Sequence, residues 1–195
     1  MEKPSLEQIR EDAKQAYGTV PSFFEETARY TTAPAAVYLL ADEALLKGVL
    51  SRREQQVVLL ELARYHNSRY DAVIHARIAL DAGLPAETVG RLLEGDPLDD
   101  ARLQALVDAT NLSCERRAWF SPKELRSFRK RGVRRGELYE IFAFVGMKKM
   151  TAFTHHISEF PIEAPLRPME EHMEEQMGDR FEKPETLRRQ RLFMG

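Results

Sequence analysis

The sequence predicts an all-α fold, a bundle built from helical hairpins. Apolar residues recur at helical spacing along almost the whole chain. Ser and Pro stand where helices would start and Gly where they would stop. No strong run of strand-like alternation interrupts this pattern.

Each element follows from the same signals. "SLEQIREDAKQAYG" has Ser5 as N-cap and Gly18 as stop. Pro21 and Ser22 open "SFFEETARY", and Pro34 opens "AAVYLLADEALLKG", which ends at Gly48. "SRREQQVVLLELARYHN" carries Ser51 with Glu54 three residues later, a capping box. "NSRYDAVIHARIALDAGLP" predicts a helix with Gly83 as left-handed cap and Pro85 opening the next turn. "PAETVGRLLEG" and "PLDDARLQALVDATNLS" are a short and a longer helix. "SPKELRSFRKRG" has Ser121 as cap, Pro122 at the first helical position and Gly132 as stop.

"GELYEIFAFVGMKKMTAFTHHISEF" is the most apolar helix. Leu138, Ile141, Phe142 and Val145 form an i, i+3, i+4, i+7 stripe, with Phe144 and Met147 outside it. A helix apolar nearly all round belongs at the centre of a core or in a subunit interface. From Pro161 onward the chain becomes rich in charge and carries four prolines. This reads as an extension that wraps a neighbour or stays partly mobile, with one short helix over roughly 169–177. The organisation is therefore N-terminal helices (1–50), a helical core (51–163) and a charged C-terminal extension (164–195).

The totals exclude several function classes. The chain has 195 residues, of which 43% are hydrophobic, enough for a packed core. A formal net charge of −2 offers no general attraction to nucleic acid or anionic lipid. The basic run "RSFRKRGVRR" (126–135) reads most simply as a solvated face and helix end. One cysteine, Cys114, excludes an intramolecular disulfide, a CxxC redox pair and a multi-cysteine zinc site. The charged start "MEKPSLEQIREDAKQ" is not a secretory signal, and no apolar run reaches the ~20 residues of a membrane span. A cytoplasmic location is expected. "GVRRG" lacks the context of a nucleotide-binding loop, so no cofactor is expected.

The chemistry-bearing stretch is the start of the fifth helix. Ser68, Asp71 and His75 fall at i, i+3 and i+7, on one face. Ser68-x-x-Asp71 is also close to a capping box, so both residues have an ordinary role as a helix start. A carboxylate in the first turn is favoured by the helix dipole and can still face a cleft. Asp71 and His75, four apart, are expected to pair, orienting the imidazole and raising its basicity. His75 is expected to face a cavity. Arg69 is a candidate for binding a substrate carboxylate, and Tyr70 for placing a phenol in the pocket. For Arg69 a solvated role on the outer face is the plainer reading; Tyr70 is as easily a packing residue. His155 and His156 point about 100° apart on their helix, so at most one faces the same cleft. Their spacing with His75 and Asp71 is not diagnostic of a metal site, and none is expected.

Residues 51 to 163 resemble the carboxymuconolactone decarboxylase family, which includes alkylhydroperoxidase-D-like proteins. The resemblance rests on "REQQVVLLELARYHNSRYDAVIHARIALDAGLP", on "SPKELRSFRKRGVRRGELYEIFAFVG" and on "MTAFTHHISEFPIE". The peroxidase branch of that family carries CxxCxxxH at the start of the second helix; here those positions read Ser68, Asp71 and His75. Without the cysteines, that branch's thiol–disulfide reduction of peroxides is not possible here. The family's acidic partner on the preceding helix falls on Gln56. The decarboxylase-like branch more often shows a Tyr-Glu pair before the histidine, and Tyr70-Asp71 is similar with a shorter acid.

The resemblance implies an enzyme of the non-thiol side: decarboxylase-like acid–base chemistry on a small molecule. His75 would transfer the proton, Asp71 would orient it, and Ser68, Arg69 and Tyr70 would contact substrate. The alternative is a degenerate member that binds a ligand or partner without catalysis. A peroxidase role survives only as a family label. The resemblance also implies a homo-oligomer, a trimer or hexamer, and the apolar helix at 137–157 points independently to a partner surface.

Overall fold

Local signals of this strength should survive into the tertiary structure, and most do. The computed structural model describes residues 4–177 and Phe181. Among them are ten α-helices and no strand. They are α1 (Leu6–Tyr17), α2 (Ser22–Tyr30), α3 (Ala33–Leu46), α4 (Arg52–Tyr65), α5 (Arg69–Asp81), α6 (Ala86–Glu94), α7 (Ala101–Glu115), α8 (Pro122–Lys130), α9 (Arg135–Ser158) and α10 (Arg167–Met177). Ser5 accepts from the amide of Gln8, and Gly18 ends α1 at a φ of 75°, where a side chain would be strained. The capping boxes of Ser51 with Glu54 and Ser121 with Glu124 both form.

The helix α4 is the centre of the bundle. Residues Gln55 through Ala63 are buried without a break, and α5, α6, α7 and α9 pack around them. Three of those buried residues are polar, and each is satisfied, as burial requires. Gln55 donates to the carbonyls of Leu45 and Leu50 at 2.8 and 3.0 Å. Glu61 holds Arg64 in an ion pair. Gln56 bonds His75.

Helix α9 runs along this core, and its buried face differs from the one its sequence suggests. The inner side consists of Leu138, Ile141, Phe144, Met147, Lys148, Thr151 and Ala152. Phe144 and Met147, predicted to fall outside the stripe, are core residues, whereas Phe142 and Val145 are only half-buried. The reason is neighbours on several sides: α2, α3, α4, α5 and α7 all meet α9 and together claim a wider sector than one stripe. Its outer side keeps Tyr139, Phe153 and Ile157 in solvent, at 62%, 51% and 85% exposure.

The N-terminal helices α1–α3 pack on one another, and α2 and α3 also on α9. The start of the C-terminal extension packs against the chain itself. A 3-10 turn at Ala164–Leu166 leads into α10, which docks on the chain's own α5 and buries Met173. Most of the extension beyond Met177 lies outside the described residues. No helix among the described residues is long and apolar enough to cross a membrane.

Candidate functional site

The site is built where α4 turns into α5. Asn67 takes the left-handed conformation at a φ of 53°, which Asn tolerates better than most residues. The turn sets Ser68 as the N-cap of α5, accepting from the amide of Asp71 at 3.3 Å. The Ser68 hydroxyl also lies 2.8 Å from Asp71 Oδ2 and donates to it. The capping role expected of this pair is thus real.

Asp71 is 1% exposed, so its charge must be compensated locally. Helix α9 supplies the compensation. Lys148 Nζ forms an ion pair with Asp71 Oδ1 at 3.0 Å, and the Thr151 hydroxyl lies 3.0 and 2.9 Å from the two carboxylate oxygens. Lys148 also donates to the Tyr38 hydroxyl from α3 at 2.8 Å. Burial works against the charge on Lys148, but Asp71 and then Tyr38 outweigh it and hold the ammonium charged. Burial pushes the Tyr38 phenol up, so it stays protonated.

This arrangement overturns the expected Asp71–His75 pair. Every described bond of the Asp71 carboxylate goes to Ser68, Lys148 or Thr151. The imidazole is held from α4 instead: His75 Nδ1 lies 3.0 Å from Gln56 Oε1. An amide oxygen can only accept, so the ring proton is on Nδ1 and Nε2 carries the lone pair. Nε2 is buried and has no partner among the described residues. Burial, and then the charges of Lys148 and Arg52, hold His75 well below the ordinary histidine range. It is therefore neutral at pH 7. His75, expected to face a cavity, is 6% exposed. A cleft of about 310 Å3 lies elsewhere, between α7 and α8, lined by residues that include Asp108, Asn111, Phe128 and Arg131.

The flanking candidates have other partners. Arg69 forms ion pairs with Glu170 at 3.0 Å and with Glu174, both on α10. Tyr70 is 2% exposed, and its hydroxyl donates to Glu163 Oε1 at 2.7 Å. Burial and then Glu163 push that phenol up. Its ring stacks on His155 at 5.5 Å and meets Phe160 edge-on at 4.7 Å. His156 Nε2 is 3.2 Å from the Asn67 carbonyl and serves the α4–α5 turn. Among the described residues no group of three or more His, Cys, Asp or Glu is arranged to hold a metal ion. Cys114 is half-buried on α7, and burial pushes its thiol up to about 11.

Sequence reasoning missed Lys148, Thr151 and Tyr38. A signal existed for the first two. Both are in phase with Ile141 and Phe144 on the inner face of α9, and a lysine at such a position demands a buried acid. Nothing local marks Tyr38.

The comparisons with known proteins fit this geometry at the level of the fold. No family model matches the sequence, and no curated protein matches it significantly. Solved structures do. An alkylhydroperoxidase AhpD core, an uncharacterized peroxidase-related protein from Ralstonia eutropha JMP134, superposes with a TM-score of 0.72 at 15% identity, over 87% of this chain and 95% of that one. An uncharacterized peroxidase-related protein from Silicibacter sp. TM1040 gives 0.68 at 16% identity, over 82% and 85%.

Proposed function

We propose, starting from a chain with the alkylhydroperoxidase AhpD-core fold and no cysteine at the start of α5, that this protein performs non-thiol acid–base chemistry on a small molecule, with His75 as the base. One observation carries the reading. The imidazole is fixed by Gln56 through Nδ1, is neutral, and holds a buried Nε2 lone pair that no described protein group uses. A buried nitrogen without a partner costs free energy, which a ligand proton would recover. The positive charges of Lys148 and Arg52 act on the same ring. Asp71 already pairs with Lys148, so Arg52 is the charge that would favour an anionic substrate and stabilise negative charge developing as Nε2 removes a proton. A decarboxylase-like lyase reaction is one chemistry of this kind.

Asp71 takes a positioning role here. It ties α5 to α9 through Lys148 and Thr151, and so fixes the helix that carries His75. A second reading, ligand binding without catalysis, is favoured by the same ion pair, since it leaves the imidazole without a carboxylate orienter. Thiol peroxidation has little support: Cys114 is the one cysteine, and its raised thiol leaves scant thiolate at neutral pH.

The test is a screen of small carboxylic acids and lactones, read by ligand-induced thermal shift and by turnover, on the wild type and on His75→Gln. The reading expects a ligand whose binding perturbs the His75 ring signals, and turnover that His75→Gln abolishes while leaving the fold intact. Binding without turnover selects the second reading. Peroxide consumption with a dithiol reductant that vanishes in Cys114→Ser would overturn both.

A further inference from the structure

Two of the buried polar atoms that lack a partner belong to residues lining one cleft, away from His75. The cleft, of about 310 Å3, lies between α7 and α8 and has the size of the smaller ligand pockets. Its walls follow from helical spacing. Asp108, Asn111 and Leu112 fall at i, i+3 and i+4 on α7. Glu124, Phe128 and Arg131 fall at i, i+4 and i+7 along α8 and its C-cap, so each helix turns one face to the cleft. Leu112 and Phe128 give it apolar surface. Asn111 Oδ1 and Arg131 Nε are buried and have no partner among the described residues. Buried polar atoms are paired as a rule, so two exceptions in one lining need a reason.

The charged groups of the cleft are already matched. Arg131 Nη1 donates to Asp108 Oδ2 at 2.6 Å, and Asp108 Oδ1 accepts from Gln104 at 2.8 Å. Glu124 accepts from Arg116 at 2.6 Å and from the amide and hydroxyl of Ser121, both at 2.7 Å. The Arg131 guanidinium also lies over the Phe128 ring, 5.7 Å from its centroid, which helps to hold it in place. An incoming carboxylate would meet Asp108 and Glu124, and an incoming ammonium would meet Arg131. What remains open is one acceptor, Asn111 Oδ1, and one N–H donor, Arg131 Nε.

We propose that this cleft binds a small neutral carboxamide carried on an apolar body. A carboxamide presents a donor and an acceptor on separate atoms, the complement of the two atoms left open. Its carbonyl oxygen accepts from Arg131 Nε, its N–H donates to Asn111 Oδ1, and its apolar body lies against Leu112 and Phe128. Leaving a buried donor and a buried acceptor unpaired costs free energy. A ligand that pairs both recovers that cost, and one that pairs a single atom recovers only part of it. A carboxylate brings acceptors alone and would set oxygen against Asn111 Oδ1. The binding is independent of His75, since no residue of that site takes part in it.

The experiment titrates the full chain with three probes of one size: benzamide, N,N-dimethylbenzamide, which keeps the carbonyl but has no N–H, and benzoate. Amide chemical shifts report where each binds and how tightly. Benzamide should move the signals of Asp108, Asn111 and Phe128 saturably and leave His75 unmoved. The other two probes should bind at least about tenfold more weakly, the loss expected when one buried hydrogen bond is not made. Asn111→Leu should weaken benzamide by a similar factor and leave N,N-dimethylbenzamide unchanged. The same substitution should keep or raise the thermal midpoint, because an apolar group of similar shape replaces a buried oxygen without a partner. The wild-type comparison stands by itself if that variant fails to fold. No saturable shift with millimolar benzamide overturns the proposal. So does benzoate bound as tightly as benzamide, since the guanidinium charge and not the open donor and acceptor would then be read. Benzamide bound equally by Asn111→Leu overturns it as well.

Discussion

The first turn of α5 and its second turn carry buried polar groups that are treated in opposite ways. Asp71, in the first turn, is bonded by Ser68, Lys148 and Thr151, with Tyr38 behind the lysine. His75, in the second, has the single bond to Gln56, and its other nitrogen is unpartnered. Both are almost fully buried, so exposure does not explain the difference. Charge does. A buried carboxylate without compensation is far costlier than a buried neutral nitrogen. The chain had to complete the surroundings of Asp71, whereas those of His75 could be left incomplete. Under the proposed function, structural and chemical duties separate within one turn of helix.

The separation is tested most severely at Lys148. Lys148→Met leaves Asp71 buried without its cation, and breaking a buried pair in this way costs about 3–5 kcal/mol. At this chain length that lowers the thermal midpoint by roughly 6–20 °C. Asp71→Asn combined with Lys148→Met removes both charges and should recover most of the loss, because Thr151 and Ser68 still bond an amide. Urea titration of the two variants measures this. A double variant no more stable than the single one would mean that Lys148 matters for packing rather than for charge.

His75 should reveal itself through pH. Its pKa is lowered on folding, so the unfolded chain binds the proton first as pH falls. Stability from this group is fully present above about pH 6.5, its unfolded value, and declines below it until the folded value is reached. One such histidine contributes a slope of at most about 1.4 kcal/mol per pH unit. His66 and His155 are also lowered, chiefly by burial, and add to the same trend. Subtracting His75→Gln from the wild type isolates the share of His75. Urea midpoints between pH 7 and 5 should fall more steeply in the wild type; parallel curves would show that His75 titrates normally, and the contrast between the two turns would collapse.

The sequence reading succeeded on the fold and on one half of this contrast. Helix ends were legible because caps are local: Ser51, Ser121 and Gly18 act on neighbours a few residues away. Ser68 and Asp71 were legible as a helix start for the same reason. The partner of Asp71 was not, because Lys148 lies 77 residues further on and meets it only when α9 docks on α5. The i, i+4 spacing of Asp71 and His75 was a true local proximity, but an ammonium outbids an imidazole for a buried carboxylate. Gln56 stands where the resemblance leads one to expect an acid. In the structure it fixes the ring without charging it, which an acid would not have done.

The smallest effect belongs to Ser68, and it sharpens the comparison because it touches the first turn alone. Ser68→Ala removes the cap on the Asp71 amide and one donor to the Asp71 carboxylate. Loss of such a cap costs ~1 kcal/mol. The carboxylate keeps Lys148 and Thr151, so no charge is stranded, and the midpoint should drop only roughly 2–4 °C. The His75 ring should be indifferent to the change, since its proton sits on Nδ1 against Gln56, on the other helix. Nitrogen chemical shifts of the imidazole in Ser68→Ala should therefore match the wild type across the pH range, while the thermal midpoint moves. If the shifts move as well, the two turns form one coupled network, and the division of labour between Asp71 and His75 is wrong.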